Sequence, residues 1–123
     1  MKVIEAIRRA DIEKPNQYSD EDKYRWLSYL DHTIVNDVLR NYECTEHYHF
    51  DGYKMYDDED TELIIPEPYC EVYVAFLKMK VDELNGETAR YNNSAEMYNA
   101  HLEDFKKFYN KTHKFRRRRV FNI

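Results

Sequence analysis

Cysteine and histidine are the residues of this sequence whose side chains could ligate a metal ion. The candidate set is Cys44, His47, His49 and Cys70, which offers the thiolate and imidazole donors that zinc prefers. Cys44 and His47 have the spacing of a zinc knuckle, but Cys70 lacks a second, paired ligand. We therefore expect ordinary buried thiols and surface histidines, with no metal and no cofactor. A zinc-stabilised regulatory module is the less favoured alternative.

Acid–base catalysis would need a carboxylate in an unusual environment, and Asp31 is the candidate because it falls near the apolar stripe of a predicted helix. A buried acid is usually held by a cation or a tyrosine, and we expect Arg90 or a tyrosine hydroxyl as its partner. The histidines show neither metal-protease spacing nor a paired nucleophile. Residues 57–62 lack the glycine and the terminal glutamate of a calcium loop. We expect no enzymatic activity.

Charge is divided unequally along the chain. The 123 residues include 24 acids and 19 bases, yet residues 106–123 contain eight bases and no acid. Residues 1–105 therefore carry a net charge of −13. This polarity favours contact between unlike regions of neighbouring copies or with an anionic partner. The acidic body itself should repel DNA.

The basic end has three interpretations. It could be a solvated tail, a nucleic-acid contact through phosphate, or a protein contact in which guanidinium groups pair with carboxylates. Val120, Phe121 and Ile123 follow the arginines, and an apolar tip beside a cationic run favours docking into a protein groove. The predicted contact residues are Lys114, Arg116, Arg117, Arg118, Arg119 and Phe121.

The sequence has two glycines and three prolines, which are too few for phosphate loops, dinucleotide fingerprints or turn-dense β-sandwiches. We therefore expect helices to position the acidic and basic side chains described above. The first predicted helix covers residues 2–13 and ends before Pro15. Ser19 caps the second, which has apolar residues at spacings of three and four and extends to about Asn41. We predict an all-α bundle of about four helices.

The third predicted helix opens with the turn at residues 66–68 and ends or kinks at Asn85-Gly86. Asn93 and Glu96 have capping-box spacing for a fourth helix, so Asn92 and Asn93 are predicted to shape the turn between the two. The apolar face of the fourth helix is too broad for one neighbour in a small bundle, which is typical of a subunit contact. The predicted core or interface anchors are Trp26, Leu27, Tyr69, Tyr73, Tyr91 and Tyr98.

Residues 43–67 interrupt the helical pattern with an acidic insert. The alternation at residues 47–50, followed by Asp51-Gly52, hints at a short hairpin or an extended arm. After Thr112 the chain is predicted to be unstructured until a partner binds it. The predicted division is a helical domain at 1–113 and a basic tail at 114–123. The longest apolar run, residues 72–77, is too short to span a membrane, so we expect a cytosolic protein.

Several short motifs resemble a family of small proteins encoded in the head–tail morphogenesis region of tailed phages and Gram-positive prophages. The most specific are Asn16-Gln17-Tyr18 with Trp26-Leu27 near the start and Tyr91-Asn92-Asn93 later. Further matches include residues 61–77 and the Asn110-Lys111-Thr112-His113 end. None of these motifs is catalytic. The four arginines replace the proline-containing end typical of the family.

The resemblance implies a head–tail connector, or adaptor, that forms a homo-oligomeric ring below the portal and joins the capsid to the tail. It implies that the C-terminal segment contacts the portal, that a tail-side completion protein is a further partner, and that genomic DNA passes through the lumen. Asp57, Asp58, Glu59 and Asp60 are then expected to face that lumen or a neighbouring subunit. The alternatives are a nucleic-acid-binding accessory protein and a tail-completion protein. The expected location is the host cytoplasm during assembly and then the virion.

Overall fold

Four helices form the body of the protein in a computed structural model that describes residues 1–116. They are α1 (Val3–Glu13), α2 (Asp20–Asp37), α3 (Glu71–Leu84) and α4 (Thr88–Thr112), with short 3₁₀ turns at Leu39–Asn41 and Glu43–Thr45. The described residues contain no β-strand, only two isolated bridges. The predicted all-α fold is confirmed. None of the described helices is long and apolar enough to cross a membrane.

Helix α2 begins as predicted and ends earlier. The Ser19 hydroxyl accepts a hydrogen bond from the backbone N–H of Asp22 at 3.1 Å, which satisfies one of the free donors of the first turn. Its apolar stripe is buried. The helix stops at Asp37 rather than Asn41, because the Asn41 side chain donates to the Asp37 carbonyl at 2.7 Å while the backbone tightens into a 3₁₀ turn.

The predicted start of α3 is displaced. Residues 66–70 do not form its first turn. They make separate turns, in which the N–H of Tyr69 donates to the Pro66 carbonyl at 2.9 Å and the N–H of Tyr73 to the Cys70 carbonyl at 3.1 Å. The regular helix begins at Glu71.

The turn between α3 and α4 lies at residues 85–87, so the prediction for Asn92 and Asn93 is wrong. Gly86 has a φ of +69°, a backbone conformation that glycine adopts without steric cost, and it reverses the chain one residue after Asn85. Helix α4 already begins at Thr88. Asn92 and Asn93 are therefore exposed residues inside its first two turns.

Of the two forms predicted for the acidic insert, the hairpin does not form, and the segment runs as an arm beside α2. Its backbone pairs with α2 side chains and not with a second strand. The Ser28 hydroxyl donates to the Tyr53 carbonyl and accepts from the Tyr53 N–H, and the Phe50 ring lies 4.8 Å from the His32 ring. Gly52, with a φ of +95°, makes the bend where the insert approaches Ser28. The insert thus follows α2 from its C-terminal end towards its N-terminal end.

The core lies between α1, α2, α3 and the insert. Helix α4 covers it from the α3 side and buries only Phe105 and Tyr109 among its 25 residues. Among the described residues after α4, Lys114 and Arg116 are bonded to the body, contrary to the expectation that the chain after Thr112 is unstructured. The N–H of Glu43 donates to the Lys114 carbonyl, and the N–H of Arg116 donates to the Asn41 carbonyl, both at 2.9 Å. Arg117, Arg118, Arg119 and Phe121 lie outside the described residues.

Candidate functional site

A fully buried carboxylate, Asp31, lies at the centre of the molecule. The Tyr73 hydroxyl donates to one of its oxygens at 2.7 Å, and the Tyr53 hydroxyl donates to the other. The N–H of Ile64 approaches the second oxygen at 3.4 Å. The predicted tyrosine partner is confirmed, twice over. The alternative partner is wrong, because Arg90 pairs with Glu87 at the surface.

Burial controls the protonation of this group. Removal from water raises the pKa of Asp31 from 3.8 to about 6, although the hydroxyls of Tyr53 and Tyr73 and the N–H of Ile64 act in the opposite direction by stabilising the anion. Burial, together with the neighbouring carboxylate, also raises the pKa of both tyrosines. Both hydroxyls therefore remain protonated and act as donors.

The Asp31 cluster fixes the two ends of the most acidic part of the insert. Tyr53 precedes this segment and Ile64 follows it, and both bind the same carboxylate oxygen. Tyr73 adds a link to α3, because its hydroxyl also accepts from the N–H of Ile65 at 2.8 Å. Residues 54–63, which we call the acidic loop, therefore project from a rigid base. Asp31 is enclosed by these donors, and its role in this arrangement is to hold the two ends of the acidic loop in place.

The predicted acidic residues all lie exposed on this loop. Asp57 accepts from the N–H of Lys54 at 2.8 Å, and Asp58 accepts from the N–H of Asp60 at 2.9 Å. Asp60 also binds the Lys2 ammonium at 2.8 Å, which lowers the pKa of Asp60. Side-chain bonds to the backbone thus hold the loop in tight turns and keep its carboxylates at the surface.

A groove separates the acidic loop from the N-terminal part of α2. Its volume is about 380 Å³, and its apolar surface comes mainly from Tyr24, Tyr53, Met55 and Tyr56. The Tyr56 side chain is 91% exposed, so the groove has an aromatic rim that faces water. These groove residues were not predicted from the sequence. The signal was the alternation of tyrosine and methionine immediately before the acids.

Carboxylates surround Tyr24 from two elements. Its pKa is raised first by partial burial and then by the negative charge of Asp20 on α2, with smaller contributions from Asp57 and Glu59 of the loop. Arg8 acts in the opposite direction. The groove therefore lies between the acidic first turn of α2 and the acidic loop, where the field favours a cation.

The basic chain end leaves the body at the opposite end of α2. Lys114, Phe115 and Arg116 lie beside the 3₁₀ turns that follow α2, and the Phe115 ring contacts the Tyr42 ring edge-on at 5.4 Å. Lys114 lies 3.8 Å from Glu43. The predicted contact residues Lys114 and Arg116 are exposed there. The acidic loop and the basic end are thus far apart within one copy.

The predicted aromatic anchors divide into two groups. Trp26, Leu27 and Tyr73 are buried in the core. The other three are half-buried on the α4 side: Tyr69 stacks on Phe108, Tyr98 lies against Phe76, and Tyr91 flanks the α3–α4 turn.

The metal candidates are not brought together. Cys44 is exposed and Cys70 is buried, and burial raises the pKa of the Cys70 thiol. Within residues 1–116, no group of three or more histidine, cysteine or acidic side chains is placed to hold a metal ion.

Comparisons with protein-family models, with curated proteins and with solved structures gave no match.

Proposed function

We propose that this chain is a structural virion-assembly protein of a tailed phage, a head–tail connector that forms a ring below the portal. The proposal begins from the resemblance of Asn16-Gln17-Tyr18, Trp26-Leu27 and Tyr91-Asn92-Asn93 to that family. The residues suggest a binding role, since the two buried carboxylates of the described residues are used structurally: Asp31 anchors a loop and Asp82 pairs with Lys14.

The observation that carries the proposal is the separation of opposite charges along α2. The acidic loop lies beside the start of the helix, and the basic segment leaves near its end. A ring needs two different, complementary faces on every subunit, so that one face of each copy meets the other face of the next. This chain carries such a pair of faces.

The acidic loop has two roles in this proposal, and both use its exposed carboxylates. Facing a lumen, it repels phosphate and lets DNA pass without adhering. Facing a neighbour, it pairs with basic side chains. The half-exposed face of α4, on which Met97 is 59% exposed, supplies further apolar surface for a subunit or portal contact.

Electron microscopy of the purified chain mixed with the portal protein encoded beside it tests the proposal. We expect an additional ring of density at the narrow end of the portal, formed only when both proteins are present. A chain that remains unbound in the mixture contradicts the proposal.

A matched pair of variants makes the experiment specific. Replacing Arg117, Arg118 and Arg119 by glutamate should abolish the added ring. Replacing Arg8, Arg40 and Lys80, which lie outside α4 and outside the basic end, by glutamate changes the net charge equally and should leave the ring in place. Equal loss in both variants would assign the binding to net charge and not to the C-terminal segment.

A further inference from the structure

We infer that the groove between α2 and the acidic loop receives the C-terminal segment, residues 117–123, of a second copy of this chain. The inference rests on the proposed function, because it identifies the contact through which copies join. It assigns one occupant to a surface made by Tyr24, Tyr53, Met55 and Tyr56.

The first argument is the shape and polarity of the groove. Tyr24 and Tyr53 form its inner side, while Tyr56 and Met55 form an outer rim that is 91% and 38% exposed. Aromatic and methionine side chains at an open groove adapt to an apolar partner side chain. Val120, Phe121 and Ile123 are the apolar side chains of the C-terminal segment.

The second argument is charge complementarity. Neighbouring acids on α2 and the loop are paired, Asp22 with Arg25 and Asp60 with Lys2. Glu21 lines the groove, and the charges of Asp57 and Glu59 on the acidic loop act on Tyr24. These three carboxylates, and the neighbouring Asp58, form no ion pair within residues 1–116. Lys54 is the one opposing charge that lines the groove unpaired in that part of the chain. Consecutive arginines suit such a rim, because each guanidinium binds a carboxylate through two parallel hydrogen bonds.

The reach of the chain limits which copy can supply the arginines. Arg116 is bonded to Asn41, beyond the C-terminal end of α2. Asp37 and Tyr24 are separated by about 20 Å along that helix, at 1.5 Å per residue. Arg119 lies at most about 11 Å from Arg116, even in a fully extended chain. Its guanidinium cannot reach the groove of its own copy, so the arginines must come from another.

Sedimentation velocity on full-length chains tests this contact through a charge exchange. The groove variant combines Asp57→Lys, Asp58→Lys and Glu59→Lys. The tail variant combines Arg117→Glu, Arg118→Glu and Arg119→Glu. We expect the wild type to self-associate and each variant alone to associate at least about tenfold more weakly, because its groove and tail now repel. An equimolar mixture of the two should associate again, since each groove meets a complementary tail.

A matched control isolates the groove from net charge. Glu5→Lys, Asp37→Lys and Glu67→Lys change three exposed acids outside the groove and outside α4, alter the net charge as the groove variant does, and should associate as the wild type does. Far-ultraviolet circular dichroism establishes that every variant is folded. The apolar half of the contact is tested by Phe121→Ala, which should weaken association without changing the charge.

Three outcomes overturn the inference: a mixture no stronger than the separate variants, a control as weak as the groove variant, or a wild type that stays monomeric throughout. Loss of duplex-DNA binding by the tail variant, with self-association intact, assigns the segment to nucleic acid and also overturns it. If rings form on the portal but self-association does not depend on the C-terminal segment, this inference is wrong and the proposed function is not contradicted. Tail-dependent self-association without portal binding would do the reverse.

Discussion

At the scale of single residues, the Asp31 cluster determines how the stability of the protein responds to pH. The folded state raises the pKa of Asp31 from 3.8 to about 6, so between these values the folded chain holds a proton that the unfolded chain has lost. The stability contributed by this group is therefore greatest at low pH and decreases as the pH rises through that range.

Asp31→Asn should remove this pH dependence. We expect the difference in unfolding free energy between wild type and variant to change by about 2 kcal/mol between pH 4 and pH 6, with the wild type losing stability as the pH rises. Urea unfolding at a series of pH values measures it. Parallel curves for the two proteins across this range would contradict the assignment.

Tyr73→Phe tests the same cluster from the donor side. Removing the hydroxyl leaves one Asp31 oxygen and the N–H of Ile65 without their partner in a buried site, so we expect a loss of roughly 1–3 kcal/mol in urea unfolding. Tyr98→Phe is the matched control, because the Tyr98 hydroxyl makes no hydrogen bond to the described residues. That variant should stay within about 0.5 kcal/mol of the wild type.

At the scale of helices, caps and interior positions respond to alanine in opposite directions. Ser19→Ala removes the acceptor of the Asp22 N–H and should destabilise the chain by about 1 kcal/mol. Asn93→Ala replaces a poor helix former at an exposed interior position of α4, so it should be neutral or stabilising by a few tenths of a kcal/mol.

Thermal and urea unfolding of these two variants side by side check the assignment. Marked destabilisation by Asn93→Ala would mean that Asn93 caps α4, as its spacing from Glu96 first suggested, and that the helix begins later than Thr88. Ser19→Asp, which keeps a side-chain acceptor, serves as the control for the Ser19 position and should retain most of the stability.

The helical periodicity and the Ser19 cap were enough to predict the all-α fold, because both depend only on residues that are close together in sequence. The start of α4 was not predictable from local rules, since the capping pattern at Asn93 competes with a glycine reversal seven residues earlier. The prediction of a hairpin in the insert was wrong for a different reason. Its alternating residues resemble a strand, yet their backbone groups bond to Ser28, which is distant in sequence.

The candidate site was predictable only in part. The acidity of residues 57–60, the importance of Asp31 and a tyrosine partner for it followed from residue type and position. The identity of Tyr53 and Tyr73 did not, because they come from an irregular segment and from another helix. The groove at Tyr24 could not be predicted from the sequence, because it forms between two segments that are about 30 residues apart in sequence and meet only in the folded structure.

At the scale of the whole molecule, the separation of charge makes association sensitive to salt. The contact that we infer pairs arginines of the C-terminal segment with exposed carboxylates of the acidic loop, and mobile ions screen such pairs. We expect the self-association constant to fall at least about tenfold between dilute buffer and about 0.5 M salt.

Sedimentation at several salt concentrations measures this dependence, and urea unfolding of the tail variant under the same conditions provides the control. The unfolding free energy should change far less, because the core of the body is apolar. Association that is unchanged or strengthened by salt would point to an apolar contact, such as the face of α4 around Met97.

The placement of groove and tail at opposite ends of α2 gives every copy one donor and one acceptor. If the α2 helices of neighbouring copies run in the same direction, each copy binds the next until a ring closes. If two copies are antiparallel, each tail fills the other copy's groove and the assembly is a dimer. A copy shortened at Arg116 can still accept but can no longer donate. Added in small amounts, the shortened copy would therefore stop the growth of a ring. In an antiparallel dimer it would instead leave the two copies joined by one contact in place of two.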